Sequence, residues 1–334
     1  MVGKKIQALL MVLLTASFLG ACSSSQAASS NSNTKVIKIG ITQIAEHPAL
    51  DSARKGFLEA LKSKGYEEGK NLKVDYENAQ GDMATTQTIA QNFVSNKENL
   101  ILAIATPSAQ AAFNATKDIP IVITAVTDPV KAGLAKSLEK SDTNVTGTSD
   151  NVPIEKQLEL LKKLIPKSKR VGVIYNTSES NSEVQLEGLK KAAPNFDLQV
   201  VTAGVTNVNE IPQALSSILM NIDVLYIPTD NMVASSLPLI TNQCYSKKIP
   251  IIGAEKGHVT NGALATTGID YNKLGFQTGL LAVDIINGKS PKDLPIVTSS
   301  EMQTVINTDA AKKLNITIPE DINSKAEKIT GGVK

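Results

Sequence analysis

From residue 35 onward, short runs of apolar residues rich in Val and Ile alternate with longer stretches in which apolar residues recur every three or four positions. The short runs read as strands over Val36–Ile41, Leu72–Tyr76, Leu100–Ala105, Ile121–Ala125 and Val145–Thr148, then over Val171–Tyr175, Asp197–Thr202, Val224–Ile227, Pro250–Ile252 and Ala263–Thr267. The longer stretches predict amphipathic helices over Leu50–Lys64, Thr85–Ser95, Ile154–Leu164, Glu183–Ala193 and Val208–Leu219. Near-continuous apolar strands separated by helices are what a parallel sheet covered on both faces requires. The predicted fold class is therefore α/β, with two doubly wound parallel-sheet lobes that break near Ser149–Pro153. A further helix over Leu274–Asn287 ends at Gly288, a C-cap signal, and a last strand over Thr304–Ile306 precedes a polar tail. Two such units joined by several crossovers describe a hinged clamshell.

The first residues stand outside this pattern. Lys4 and Lys5 precede a mostly apolar run from Ile6 to Leu19, too short to span a bilayer but suited to a signal-peptide core. Leu19-Gly20-Ala21-Cys22 then resembles the lipobox of bacterial lipoproteins, which implies cleavage after residue 21 and acylation of Cys22. Residues 22–34 are rich in Ser, Ala and Asn and read as a flexible tether. No later apolar run approaches 18 residues, so no other membrane span is expected.

Composition narrows the function. The chain has 334 residues, enough for two domains, and a net charge of +2; losing Lys4 and Lys5 with the leader leaves it formally neutral. No basic surplus remains for a nucleic-acid backbone. Cys22 and Cys244 are the two cysteines; with Cys22 acylated no intrachain disulfide is possible, and Cys244 reads as inert helix core. There is no GxGxxG loop, GxSxG elbow or HExxH motif. Gly65-Tyr66-Glu67-Glu68-Gly69-Lys70-Asn71 falls short of a P-loop because its glycines are too close and no Ser or Thr follows Lys70. His47 and His258 are the only histidines, so a His-rich metal site is not expected, nor any cofactor or catalysis. The chain lacks Trp, which disfavours a sugar stacked on indole rings.

In open α/β sheets ligands bind beyond the carboxyl ends of the strands. After the third strand, Thr106-Pro107-Ser108-Ala109 opens a helix, with Thr106 as the expected N-cap and Pro107 at the first helical position. Free N–H groups and hydroxyls there suit a carboxylate, although a plain capped helix looks the same in sequence. Thr127 and Asp128 follow the fourth strand; Thr127 is placed to donate to the same anion, Asp128 to cap or fix the hinge. Asp230 and Asn231 follow Val224–Ile227, where Asp230 either accepts from a ligand ammonium or caps the next helix. Gln43, Glu46 and His47 after the first strand are candidates for the cleft lip. Tyr175, Asn176, Glu255, Asp270 and Tyr271 hold the equivalent places on the second lobe.

The same residues carry a family resemblance. Glu46-His47-Pro48-Ala49-Leu50-Asp51, Asn78-Ala79-Gln80-Gly81-Asp82, Ala105-Thr106-Pro107, Val126-Thr127-Asp128-Pro129, Asn144-Val145-Thr146-Gly147, Gly172-Val173-Ile174-Tyr175-Asn176 and Pro228-Thr229-Asp230-Asn231 look like the ABC transporter substrate-binding family that includes tryptophan- and tyrosine-binding lipoproteins. The resemblance implies a type I periplasmic-binding fold in which residues 35–148 and about 271–290 form one lobe and residues 149–270 and about 291–330 the other. It also implies a small-molecule ligand, an amino acid and in the best-known branch an aromatic one. The protein would be a monomer that delivers this ligand to an ABC permease with a cytoplasmic ATPase. A nucleoside, a sugar or a peptide-like amine are the alternatives within the class. A sensor for a signalling receptor and a lipoprotein enzyme are the alternatives outside it.

Overall fold

The computed structural model describes residues 36–333, so the leader, Cys22 and the tether lie outside the described residues. The first lobe runs β1 (Ile37–Gln43), α1 (Pro48–Ser63), β2 (Leu72–Asn78), α2 (Met83–Ser95), β3 (Leu100–Ile104), α3 (Thr106–Ala115), β4 (Ile121–Val126) and β5 (Val145–Ser149). The second runs α4 (Ile154–Leu164), β6 (Arg170–Asn176), α5 (Ser180–Ala192), β7 (Gln199–Val205), α6 (Ile211–Leu219), β8 (Val224–Ile227), α7 (Asn231–Ser235), α8 (Leu237–Ser246), β9 (Ile251–Gly253), α9 (Lys256–Thr260) and β10 (Ala265–Gly268). The chain then returns through α10 (Tyr271–Ile286) and β11 (Ile296–Thr298), and finishes with β12 (Gln303–Asn307), α11 (Thr308–Leu314), α12 (Glu320–Asn323) and β13 (Glu327–Ile329).

The sheets have the strand orders β2-β1-β3-β4-β5-β11 and β7-β6-β8-β9-β10-β12-β13, so the first five strands of each lobe repeat one doubly wound order. Burial explains why the strands read as continuous apolar runs: every residue of β3 and β4 is buried, because helices cover both faces. In the second lobe alternate residues serve separate cores. Val171, Val173 and Tyr226 pack with Leu158 and Leu161 of α4 on one face, while Ile174, Leu225 and Ile227 pack with Leu215 of α6 and Ile240 of α8 on the other.

Two expectations at the C-terminus need correction. β11 pairs with β5, so Ile296–Thr298 lies in the first sheet and not with the second lobe. Its short run, with one buried residue, carries too weak a pattern to read as a strand. The supposed polar tail supplies α11, α12 and the edge strand β13, which pairs with β12. One pairing is antiparallel, β10 with β12.

α10 is held to the first lobe by close backbone approach to α1. A Cβ on Gly275 would stand 1.9 Å from the Ala53 carbonyl oxygen, and one on Gly56 would stand 2.0 Å from that of Asn272. Thr148 on β5 and Thr278 on α10 share a hydrogen bond of 2.7 Å. The chain thus crosses between the sheets three times, after β5, before α10 and between β11 and β12.

Candidate functional site

The strand ends of the two lobes meet. His47, just beyond β1, bonds through Nε2 to Asn231 Oδ1 at 3.3 Å, and its Nδ1 lies 3.7 Å from Glu255 beyond β9. Thr127, beyond β4, bonds to Thr229, beyond β8, at 3.2 Å. Lys131 and Glu187 make an exposed ion pair between the same lobes at 3.1 Å. Tyr271 at the start of α10 donates its hydroxyl to Asp150, the first residue after β5, at 2.6 Å.

Buried polar side chains at or near these ends keep atoms without a hydrogen-bond partner. On the first lobe they are Thr42 Oγ1, Gln43 Oε1, Thr106 Oγ1, Ser108 Oγ and Asp150 Oδ1; on the second, Asn181 Oδ1, both carboxylate oxygens of Glu255 and His258 Nε2. Native proteins leave few buried polar groups unsatisfied, so this set, at or near strand ends of both lobes, is the candidate for a polar-ligand site. Among the described residues no lysine or arginine is buried with them.

The start of α3 is one part of this site. Ala105, not the expected Thr106, is its N-cap, with φ at 74°, a region that costs energy for a residue with a Cβ. Thr106 and Ser108 then occupy the first and third helical positions, whose N–H groups have no carbonyl within the helix to accept them. Ala125, at the end of β4, also has a left-handed φ of 56°. Non-glycine residues strained just before two strand-end turns are the pattern that functional sites retain.

Carboxylates form the other part. Burial pushes Asp150 above its ordinary value, against the hydrogen bonds of Tyr271 and Thr127. Burial, then the nearby Asp150 charge, pushes Glu255 up to about 8. Burial pushes His47 down to about 4 and His258 down to about 3, so both rings are neutral near pH 7.

Other expected positions are engaged elsewhere. Asp230 is fully buried, but its oxygens accept from Val233 N, Asn176 N and Ser182 Oγ, all within the second lobe. Asn176 and Asn231 bind the buried Glu179 carboxylate, which orients the loop after β6. Ala109 is buried, with its N–H on the Ala105 carbonyl. Asp128 caps its own turn at Val130 and Lys131, and Asp270 caps α10 at Asn272 and Lys273. The half-buried Tyr175 ring lies against Gly204 on β7, and Glu46 is exposed. Sequence reasoning missed Asp150, Glu179, Asn181 and His258. Asp150 obeyed the same strand-end rule as Thr127, but the segment read as the start of an interlobe loop.

The chain's relatives share this architecture. The family model described as ABC transporter substrate binding protein matches residues 38–330. A tyrosine-binding protein from Clostridioides difficile (strain R20291) is 52% identical over 320 residues, covering 94% of this chain and 93% of its own. A domain from Streptococcus pneumoniae solved in complex with L-Trp has 37% identity and a TM-score of 0.86, covering 89% of this chain and 100% of that one. A ligand-free, open substrate binding protein with adhesive properties from Clostridium difficile has 54% identity but a TM-score of 0.68, over 90% of this chain and 100% of that one. Higher identity with poorer superposition is what a different lobe angle produces, and the interlobe bonds of His47 and Thr127 hold this chain closed. A type I periplasmic-binding fold with a polar site between its lobes, matched from residue 38 to 330, places the chain in the ABC transporter substrate binding protein family.

Proposed function

We propose that this substrate-binding protein takes an aromatic amino acid, with tyrosine and tryptophan foremost, between its lobes. The observation that carries the reading is a pair of complementary, buried and unpartnered groups beyond the carboxyl ends of the first sheet's strands. The start of α3 offers the free N–H groups and the unpartnered hydroxyls of Thr106 and Ser108 to a carboxylate. Asp150 offers an unpartnered oxygen to an ammonium, and no buried lysine or arginine competes for it. A zwitterion satisfies both, whereas a sugar or nucleoside offers Asp150 hydroxyl donors but no opposite charge. The names of the similar proteins, tyrosine-binding in one case and L-Trp-bound in another, support the same ligand class.

In this reading the protein does no chemistry. Closure buries the ligand and excludes water, the closed form docks on a permease with an ATPase, and the ligand shifts the open–closed balance by preferring the closed state. The chain acts as a monomer outside the cytoplasmic membrane, anchored through acyl groups on Cys22.

Thermal unfolding with a ligand panel tests the ligand. At 100 times its Kd a true ligand adds about 2.7 kcal/mol of stability. L-tyrosine or L-tryptophan is expected to raise the Tm, and adenosine or myo-inositol to leave it unchanged. A rise with the nucleoside or the polyol alone would overturn the amino acid reading. For the anchor, Cys22→Ser is expected to move the protein from the membrane to the soluble fraction.

A further inference from the structure

The hydrogen bonds around His47 determine where its proton sits. Asn231 donates its amide N–H to the Glu179 carboxylate, so its oxygen must face His47. His47 Nε2 is therefore the donor in that bond, and in the neutral ring Nδ1 carries a lone pair. Glu255 Oε1 lies 3.7 Å from that nitrogen, and neither atom has a hydrogen-bond partner. His258 approaches the same Glu255 oxygen. Its Nδ1 accepts from the Ala254 N–H, so its proton is on Nε2, 3.3 Å from Glu255 Oε1. Two buried acceptors facing each other repel unless a proton lies between them.

We propose that His47 of the first lobe and Glu255 of the second share one proton across the cleft, and that closure of the lobes takes this proton up. The proton resides on Glu255 and is directed at His47 Nδ1, as burial raises the one group and lowers the other. Opening separates the pair and returns each to water, where the carboxyl group is ionised and the ring largely neutral at pH 7. The groups facing the pair are few. Asp51 approaches His47 from α1, His258 approaches Glu255 from α9, and Asp150 from the end of β5 and Tyr271 from α10 stand near Glu255. Glu179 reaches His47 only through Asn231.

The sign follows from these values. The closed state holds its proton up to about pH 8, whereas the open state binds one only below the ordinary histidine value of 6.5. Closure is thus favoured at low pH and is lost as pH rises through about 8, with no further gain below about 6.5. Any ligand that closes the lobes inherits this dependence, which rests on the binding-protein reading and not on an aromatic amino acid.

The test reads closure directly in the full-length chain. Fluorescence energy transfer between labels at Lys55→Cys on the first lobe and Lys190→Cys on the second is followed without ligand, and L-tryptophan binding is measured in parallel, from pH 5.5 to 9. The closed-to-open ratio is expected to fall about tenfold between pH 6.5 and 8.5, and L-tryptophan affinity with it. Glu255→Gln, which mimics the protonated carboxyl, is expected to close equally at every pH. His47→Gln keeps a donor for Asn231 but leaves Glu255 buried; with the open-state ring gone, closure is expected to keep strengthening below pH 6.5, where the wild type levels off. A flat wild-type profile, or an unchanged slope in both variants, would overturn the shared proton. Failure to bind L-tryptophan with pH-dependent closure intact would instead sink the amino acid ligand alone.

Discussion

The Tyr271 hydroxyl donates to Asp150 at 2.6 Å, joining segments 121 residues apart. Both residues lie where the chain passes between the lobes, one directly after β5 and the other at the start of α10. The bond keeps one Asp150 oxygen engaged and leaves the other without a partner in the protein. Tyr271→Phe removes the donor and is expected to cost about 1–3 kcal/mol in urea unfolding. Asp150→Asn retains an acceptor without the charge, and by calorimetry is expected to cost about 2–5 kcal/mol of amino acid affinity. Equal loss of stability and affinity in Asp150→Asn would argue that Asp150 merely supports the fold.

Thr106 and Ser108 are buried with hydroxyls that bond to nothing in the protein. Thr106→Val and Ser108→Ala should therefore change unfolding stability by less than about 0.5 kcal/mol. Each is expected to weaken a carboxylate ligand about 10- to 150-fold, since one hydrogen bond to a charged group is worth about 1.5–3 kcal/mol. An amino acid amide should lose much less, and identical losses for acid and amide would remove α3 from the carboxylate subsite.

Asp230 holds the second lobe together, with three donors converging on its carboxylate. Asp230→Ala leaves those donors unsatisfied in the interior and is expected to destabilise the chain by about 3 kcal/mol or more, read from the urea midpoint. Affinity measured on the remaining folded protein should change little. A stable variant with abolished binding would return Asp230 to the ligand.

Gly275 and Gly56 permit the backbone contact between α1 and α10. A methyl group at either position would meet a carbonyl oxygen at about half the normal contact distance, and neither helix can yield without moving the crossover. Gly275→Ala is expected to cost about 3 kcal/mol, although alanine is ordinarily the better helix former. Gly188→Ala on α5, where a Cβ meets nothing, should be neutral or stabilising.

The chain by itself determined the alternation of strands and helices, because a strand buried on both faces and a helix buried on one impose different periods on the residues. Val224–Ile227 and Ile154–Leu164 were legible to the residue. The strand ends named the region of the site for the same reason, since a polar turn must follow each buried strand. What only the tertiary structure decided is which polar turn residues look across the cleft. Asp230, Asp270 and Asp150 are each an acid after a strand, yet two of them cap helices and the third keeps an oxygen free. An N-cap and a ligand contact ask for the same short acceptor side chain, so local sequence cannot separate them. The short edge strands β11 and β13 were illegible because few of their residues are buried and pairing alone defines them. The bond from His47 to Asn231 spans 184 residues, and no local pattern records it. It exists only because two sheets with one strand order bring their carboxyl ends together.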